Sequence, residues 1–373
     1  MSSEKWYVSG ARLAGGVALL SLLAGPAHAV ERAKAWVWAN QPTAGSYVPD
    51  LGYQFNSTGA VNHVTRDGKG RYLVDLPGLE TASGGVVQVT AYGGSHHCKV
   101  LKWVPIGTAL RVSVRCFAGA VPANGRFTLL FYQESRASTV WSDAYLWADR
   151  PKAPAYTPSR PYQWNSKGQV NTIERRRKGE YSAKLPGTTG PGVNAGGGTV
   201  LVTAYGPSKD RCKVASWFPS GSDTLVDVRC FGPNGAKVDT RFTLSFMTDV
   251  ALGVRFSEDA DYGGYAWAHN STSDNYVPSP TYSENNTGSL ILAGKTTGST
   301  GSYWVRFGLL KPADKTSALV TAYGPNSEFC TVAGWGTDGE GGTIAYVNCF
   351  TSNRDPVDTR FTVLYLTDEQ ILF

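Results

Sequence analysis

Charge is scarce in this chain, with acidic and basic residues at 17% of 373 positions against 42% hydrophobic ones. That balance excludes a self-repelling disordered polymer and allows a packed core. Long apolar runs are missing as well. Past residue 29 no stretch approaches the ~20 apolar residues of a membrane-spanning helix. Glycine is common, at 43 residues, but far from every third position, which excludes a collagen helix. The chain has no C-x-x-C, no G-x-S-x-G elbow, no H-E-x-x-H and no phosphate loop. What is abundant is Gly and Pro together, 63 of 373, about one residue in six. That disfavours long helices and suits many short strands joined by turns.

The N-terminus reads as an export signal. Lys5 and Arg12 precede an apolar run from Leu13 to Gly25, Pro26 breaks it, and Ala27-His28-Ala29 has the small-x-small form of a cleavage site after Ala29. The run is too short to span a membrane. Loss of residues 1–29, with two cations and one anion, takes the net charge from +6 to +5. So mild a charge aids solubility and does not by itself argue for nucleic acid. The expected location is secreted, extracellular and without a membrane span.

The remaining chain is one unit written three times. Val89-Thr90-Ala91-Tyr92-Gly93 returns at 202–206 and at 320–324, and an Arg-Phe-Thr follows each time at Arg126, Arg241 and Arg360. A Trp-Ala pair opens each unit at Trp38, Trp147 and Trp267. By the Ala-Tyr and Cys landmarks the step is 113–114 residues and then 118–119, too long for a solenoid repeat of about 20–50 and long enough for a separate core. The expected units are 30–134, 144–250 and 264–369, after a leader at 1–29. The links from Glu134 to Asp143 and from Ala251 to Gly263 match no landmark. Apolar residues recur with period two, as in Phe127, Leu129, Phe131 and in Tyr72, Val74, Leu76. The prediction is all-β: three tandem β-sandwich domains, jelly-roll-like or immunoglobulin-like, with one disulfide each.

The disulfide expectation rests on repetition. Cys98/Cys116, Cys212/Cys230 and Cys330/Cys349 are separated by 18, 18 and 19 positions. Of fifteen possible pairings, only bonding within units treats the three alike. Val112, Val114 and Cys116 share a strand face, and so do their counterparts ending at Cys230 and Cys349. An exported chain meets the oxidising compartment such bonds need. The rival metal site lacks a recurring His near the pairs, and no metal or cofactor is expected.

Residues that carry chemistry are sparse. His63, His96, His97 and His269 have no counterparts among the units. His96-His97 reads as a solvated turn, since neighbours on a strand point to opposite faces and do not easily share one ion. Asp239 and Asp358 recur in two units, where the first has Ala123, and read as partners of a nearby cation or as turn caps. Glu174-Arg175-Arg176-Arg177-Lys178 reads as a solvated hairpin tip. Catalytic residues are therefore expected to be none. Trp38, Trp147 and Trp267, each two residues after an aromatic, read as core. Trp103, Trp217 and Trp335 lie five residues after the first Cys of each pair. That odd offset sets them on the outer face of a straight strand, unless a bulge turns them inward. Tyr92, Tyr205 and Tyr323 are also out of phase with the apolar face, and these six rings are the candidate ligand-binding surface, as plates for sugar stacking or anchors for a protein.

The succession G-x-Y-x-V-x-L-P-G, V-T-A-Y-G, Cys, Trp, Cys-Phe and R-F-T resembles repeat units of secreted bacterial proteins that carry no assigned activity. The resemblance covers nearly all of the chain after residue 29 and implies a β-sandwich and export. The third unit departs most, with Tyr282-Ser283-Glu284 and no Pro-Gly after Phe307. The leading functional expectation is a secreted non-catalytic binding protein for glycan or cell-envelope polymer. The alternatives are a structural or adhesive protein that binds another surface protein, and a glycan hydrolase with a site in one unit only.

Overall fold

The computed structural model describes residues 1–2, 32–80, 84–135, 137, 141–189, 197–248, 262–310 and 314–368. Residues 3–29 of the expected leader and most of the second link lie outside the described residues. Among the described residues there is no α-helix, only strands and three short 3₁₀ turns at Leu51–Tyr53, Arg160–Tyr162 and Pro280–Tyr282. Among the described residues no helix is long and apolar enough to cross a membrane.

Each repeat is a two-layer antiparallel sandwich. In the first, one layer runs Gln54–Asn56, Arg32–Ala39, Arg126–Glu134, Val86–Tyr92. The other runs Ser46–Tyr47, His63–Arg66, Arg71–Pro77, Ala109–Ala118, His97–Ile106. The first and last long strands are therefore neighbours in the middle of a layer, in register from Arg32 opposite Glu134 to Ala39 opposite Phe127. The other two repeats follow the same order, apart from the edge piece at Tyr276, a single bridge to Ala293 in the third. Each sandwich has its own core, with Val74, Val112, Val114 and Phe127 in the first, and rings of a neighbouring repeat pack against its edge. The disulfides Cys98–Cys116, Cys212–Cys230 and Cys330–Cys349 each stay within one repeat, joining residues directly opposite on adjacent strands.

Between the repeats the sheets do not stop. The edge strand His97–Ile106 of the first repeat pairs in parallel with Thr199–Tyr205 of the second, where the Gly206 N–H donates to Val100 O at 2.8 Å. Val214 of the second repeat accepts from Gly324 of the third at 2.9 Å, and Val332 of the third accepts from Gly93 of the first at 2.7 Å. The three joins close a ring. The strands nearest its axis are buried on both faces, so Arg126–Glu134 sends Phe127, Leu129 and Phe131 to its own sandwich and Leu130 and Tyr132 to a fourth, shared core. That core gathers Trp36, Val86, Tyr145, Leu201, Met247, Tyr265, Leu319, Leu364 and Leu366 from all three repeats, each such side chain contributing roughly 1.5–3 kcal/mol when fully buried.

Threonines lock the ring. Thr90 Oγ1 donates to Val320 O and accepts from Val320 N, and the same exchange joins Thr203 to Val89. Thr321 closes the cycle on Val202. On the adjacent strands, directly opposite these three, Thr128, Thr243 and Thr362 donate to Ala318, Val87 and Val200 at 2.7–2.8 Å. These hydroxyls satisfy buried backbone groups that the strand ladders leave over. Two glycines permit the repeats to touch: a Cβ on Gly84 would stand 1.9 Å from Pro161 O, and one on Gly197 1.6 Å from Thr281 O.

Candidate functional site

The six candidate rings are split by a bulge. Opposite Ala109–Ala118, the register of His97–Ile106 slips between Val100 and Lys102, and the same slip occurs between Val214 and Ser216 and between Val332 and Gly334. One extra residue reverses the alternation of everything after it. Trp103 then faces Val112 and is 4% exposed, and Trp217 faces Val226 and is 5% exposed. The straight-strand expectation of outward plates therefore fails for these two. Trp335 is half-buried, and so are Tyr92, Tyr205 and Tyr323.

What the bulge builds is an aromatic box at each junction between repeats. Trp103 of the first repeat packs edge-on against Trp147, Tyr162 and Tyr205 of the second, with ring centroids 5.4–6.0 Å apart. Trp217 meets Trp267, Tyr282 and Tyr323 at 5.4–5.7 Å. Trp335 meets Trp38, Tyr53 and Tyr92 at 5.6–5.7 Å. Edge-to-face geometry places the positive rim of one ring on the negative face of another. Over one Tyr of each box lies a guanidinium from the R-F-T motif: Arg126 over Tyr92 at 4.9 Å, Arg241 over Tyr205 at 5.8 Å and Arg360 over Tyr323 at 4.9 Å. Burial raises all three Tyr pKa values, and the neighbouring arginine opposes it.

Trp38, Trp147 and Trp267 thus belong to the boxes and not to the cores of their own sandwiches, which their neighbours Val37, Leu146 and Ala266 enter instead. They are half-buried, and each carries a buried indole N–H with no hydrogen-bond partner. Sequence reading overlooked Tyr53, Tyr162 and Tyr282 as site residues. The signal was present in their recurrence beside the 3₁₀ turns.

Comparison with known protein families, with curated proteins and with solved structures finds no match to this chain. Its geometry has to speak for itself.

The remaining candidates fall into place around this frame. Asp239 accepts from Arg175 at 2.8 Å and from the Gly179 N–H, and Asp358 from Lys295 at 2.6 Å and from the Gly301 N–H. Burial pushes both carboxyls up, but these partners outweigh it and hold them below the usual range. In the first repeat the same post is filled by Asn124, which accepts from Gly70 N–H and Arg66, and not by Ala123. Arg176 at the basic tip pairs with Glu174 and is exposed, in keeping with a solvated hairpin end.

His96-His97 is not a solvated turn. His97 opens a strand, is buried, and contacts Lys209 O of the second repeat at 3.1 Å through Nε2, while His96 Nε2 lies 2.9 Å from Arg126 O. Burial, aided by Arg211, drives the His97 pKa well below its ordinary value. The strand that begins there carries buried Lys99, whose counterpart in the second repeat is buried Lys213. Burial lowers both ammonium groups from 10.5 to about 8, against the pull of Asp210 and Glu328 respectively. Among the described residues no group of three or more His, Cys, Asp or Glu side chains is placed to hold a metal ion.

Proposed function

We propose that this chain is a secreted, non-catalytic binding protein that presents three equivalent aromatic boxes to a glycan or cell-envelope polymer. The observation that carries the reading is the threefold recurrence of a half-exposed Trp-Tyr-Tyr set, Trp38/Tyr53/Tyr92, Trp147/Tyr162/Tyr205 and Trp267/Tyr282/Tyr323, each at a junction between two repeats. Flat apolar faces with polar edges suit the C–H faces of sugar rings. Three weak sites fixed on one body gain avidity through effective concentration. Within this reading residues 1–29 are the leader cleaved after Ala29, 30–134, 144–250 and 264–369 are the three repeats, and the chain joins the secreted bacterial repeat proteins it resembles. The three disulfides support the extracellular placement.

The test is retention on insoluble cell-wall polysaccharides and on a glycan array, with the wild type beside the triple variant Tyr53→Ala/Tyr162→Ala/Tyr282→Ala. Binding that falls in the folded triple variant supports the reading. No retention of the wild type on any glycan removes it.

A second reading, docking to a protein, has its own support. Val61, Val170 and Leu290 occupy one equivalent loop position and are 41%, 50% and 59% exposed. An apolar residue kept outside on all three repeats is a fitting anchor for a partner surface. Cross-linking to surface proteins that is lost in Val61→Ser/Val170→Ser/Leu290→Ser, with glycan retention absent, selects this reading.

A further inference from the structure

We propose that the ring carries a fourth, unique site on its axis, a cavity that binds a compact oxyanion of the phosphate or sulfate class.

The cavity lies where the three V-T-A-Y strands converge, and all three repeats line it. Its walls include Val89, Thr90 and Ala91 with their counterparts at 202–204 and 320–322, and one cysteine from each disulfide. It offers about 60 Å³ to the centres of water molecules. At roughly 10–15 Å³ per water that is room for a few waters, or for one tetrahedral ion in their place.

Its chemistry breaks the threefold rule that governs the rest of the molecule. One position is His97 in the first repeat, Arg211 in the second and Phe329 in the third, and the three side chains meet. The Arg211 guanidinium lies 4.7 Å from the Phe329 ring centre, and the His97 ring 6.2 Å from it. Two positions on stand Lys99, Lys213 and Thr331. In the third copy apolar Phe329 takes the first of these places and neutral Thr331 the second. Burying an imidazole and three cations in the other two is costly unless the charges have partners.

Those partners are incomplete. Lys213 Nζ donates to Glu328 at 3.0 Å, and Lys99 Nζ to the neutral Ser208 hydroxyl at 3.0 Å, with Asp210 the nearby counter-charge. Arg211 is 7% exposed, and its Nη2 donates to the Ser352 hydroxyl at 3.1 Å. Its Nε–H is buried with no acceptor at all. Against Lys99, Lys213 and Arg211 the lining supplies two carboxylates, Asp210 and Glu328, so one buried positive charge is in excess before His97 is counted. A buried guanidinium with an unused N–H, ammonium groups that each have three donors and a partly enclosed polar hollow together make an oxyanion receptor. The fork of the guanidinium matches two oxygens of a tetrahedral anion at once.

The experiment is calorimetric titration of the disulfide-intact protein with inorganic phosphate, inorganic sulfate and phenyl phosphate, each at constant ionic strength with chloride as the balancing ion. One saturable site per chain is expected, and the anion should raise the thermal midpoint in step with its occupancy. Phenyl phosphate binding as well as orthophosphate assigns the cavity to the ester-linked terminus of a larger molecule, and orthophosphate alone assigns it to the free ion. Arg211→Gln should weaken binding by about tenfold or more through the lost charge-assisted bonds. Lys99→Gln serves as the second variant if Arg211→Gln does not fold, and Arg176→Gln at the exposed tip should leave affinity unchanged. Heats no larger than those of chloride alone overturn the proposal. So does a folded Arg211→Gln or Lys99→Gln protein with wild-type affinity.

Discussion

Trp103→Ala tests the junction architecture most directly. The side chain is 4% exposed, contacts three rings of the next repeat, and donates from Nε1 to Gly84 O at 2.7 Å. Truncating a buried Trp to Ala costs about 3–5 kcal/mol through lost transfer energy and the cavity left behind. Three edge-on ring pairs and an orphaned carbonyl place Trp103 at the upper end of that range. Trp335, with the same spacing but half-exposed, should lose about 2 kcal/mol, since a partly hydrated ring surrenders less burial. The conservative series sharpens the comparison. Trp103→Phe breaks the bond to Gly84 and costs about 1 kcal/mol more than the ring contacts alone. Trp217 makes no such bond, its Nε1 being buried and unpaired, so Trp217→Phe should cost less than Trp103→Phe. Urea midpoints with an unchanged slope measure all four variants. Stability of Trp103→Ala within about 0.5 kcal/mol of wild type, the range of ordinary surface substitutions, would show that the ring stands outside and that the bulge reasoning is wrong.

Two further outcomes follow from the axis. Folded Lys99 releases its proton near pH 8, whereas the unfolded side chain holds it to about 10.5. Between those values the unfolded state binds more protons, so stability rises with pH across that window. Thermal midpoints of Lys99→Met should climb less steeply from pH 8 to 10 than those of wild type, and an equal slope refutes the assignment. Thr90→Val keeps the shape of the side chain but strips the Val320 N–H of its acceptor. An unsatisfied buried donor costs about 1–3 kcal/mol, and exchange of the Val320 amide should accelerate with it; an unchanged exchange rate counts against the threonine lock.

The sandwiches and their internal disulfides were legible because each depends on local alternation and on repetition, both written along the chain. Ring closure was legible only in part. Phe127-Thr128-Leu129-Leu130-Phe131-Tyr132 alternates well enough to show one buried face, yet Leu130 and Tyr132 on the other face are equally apolar. That near-continuous run is the mark of a strand covered on both sides. The boxes were hidden by a single residue. Leu101, Ala215 and Ala333 are unremarkable as letters, and only the pairing with the next strand reveals that each is an insertion. The post held by Asn124 was legible in the letters, since it stands two positions before Arg126 as Asp239 and Asp358 stand before Arg241 and Arg360, and placing Ala123 there is a misalignment by one residue.

The cyclic joins also bear on the order in which the molecule can be completed. The first repeat's opening strand sends Trp36 Nε1 to Lys315 O, 279 positions downstream, and its box receives Trp335. While the later repeats are still being made, that flank has unsatisfied amides and bare rings. It remains an open template for any extended segment nearby until the third repeat arrives. Chaperone dependence during synthesis should accordingly fall on the earliest-made third of the chain, although its own sandwich is the first to have all its strands.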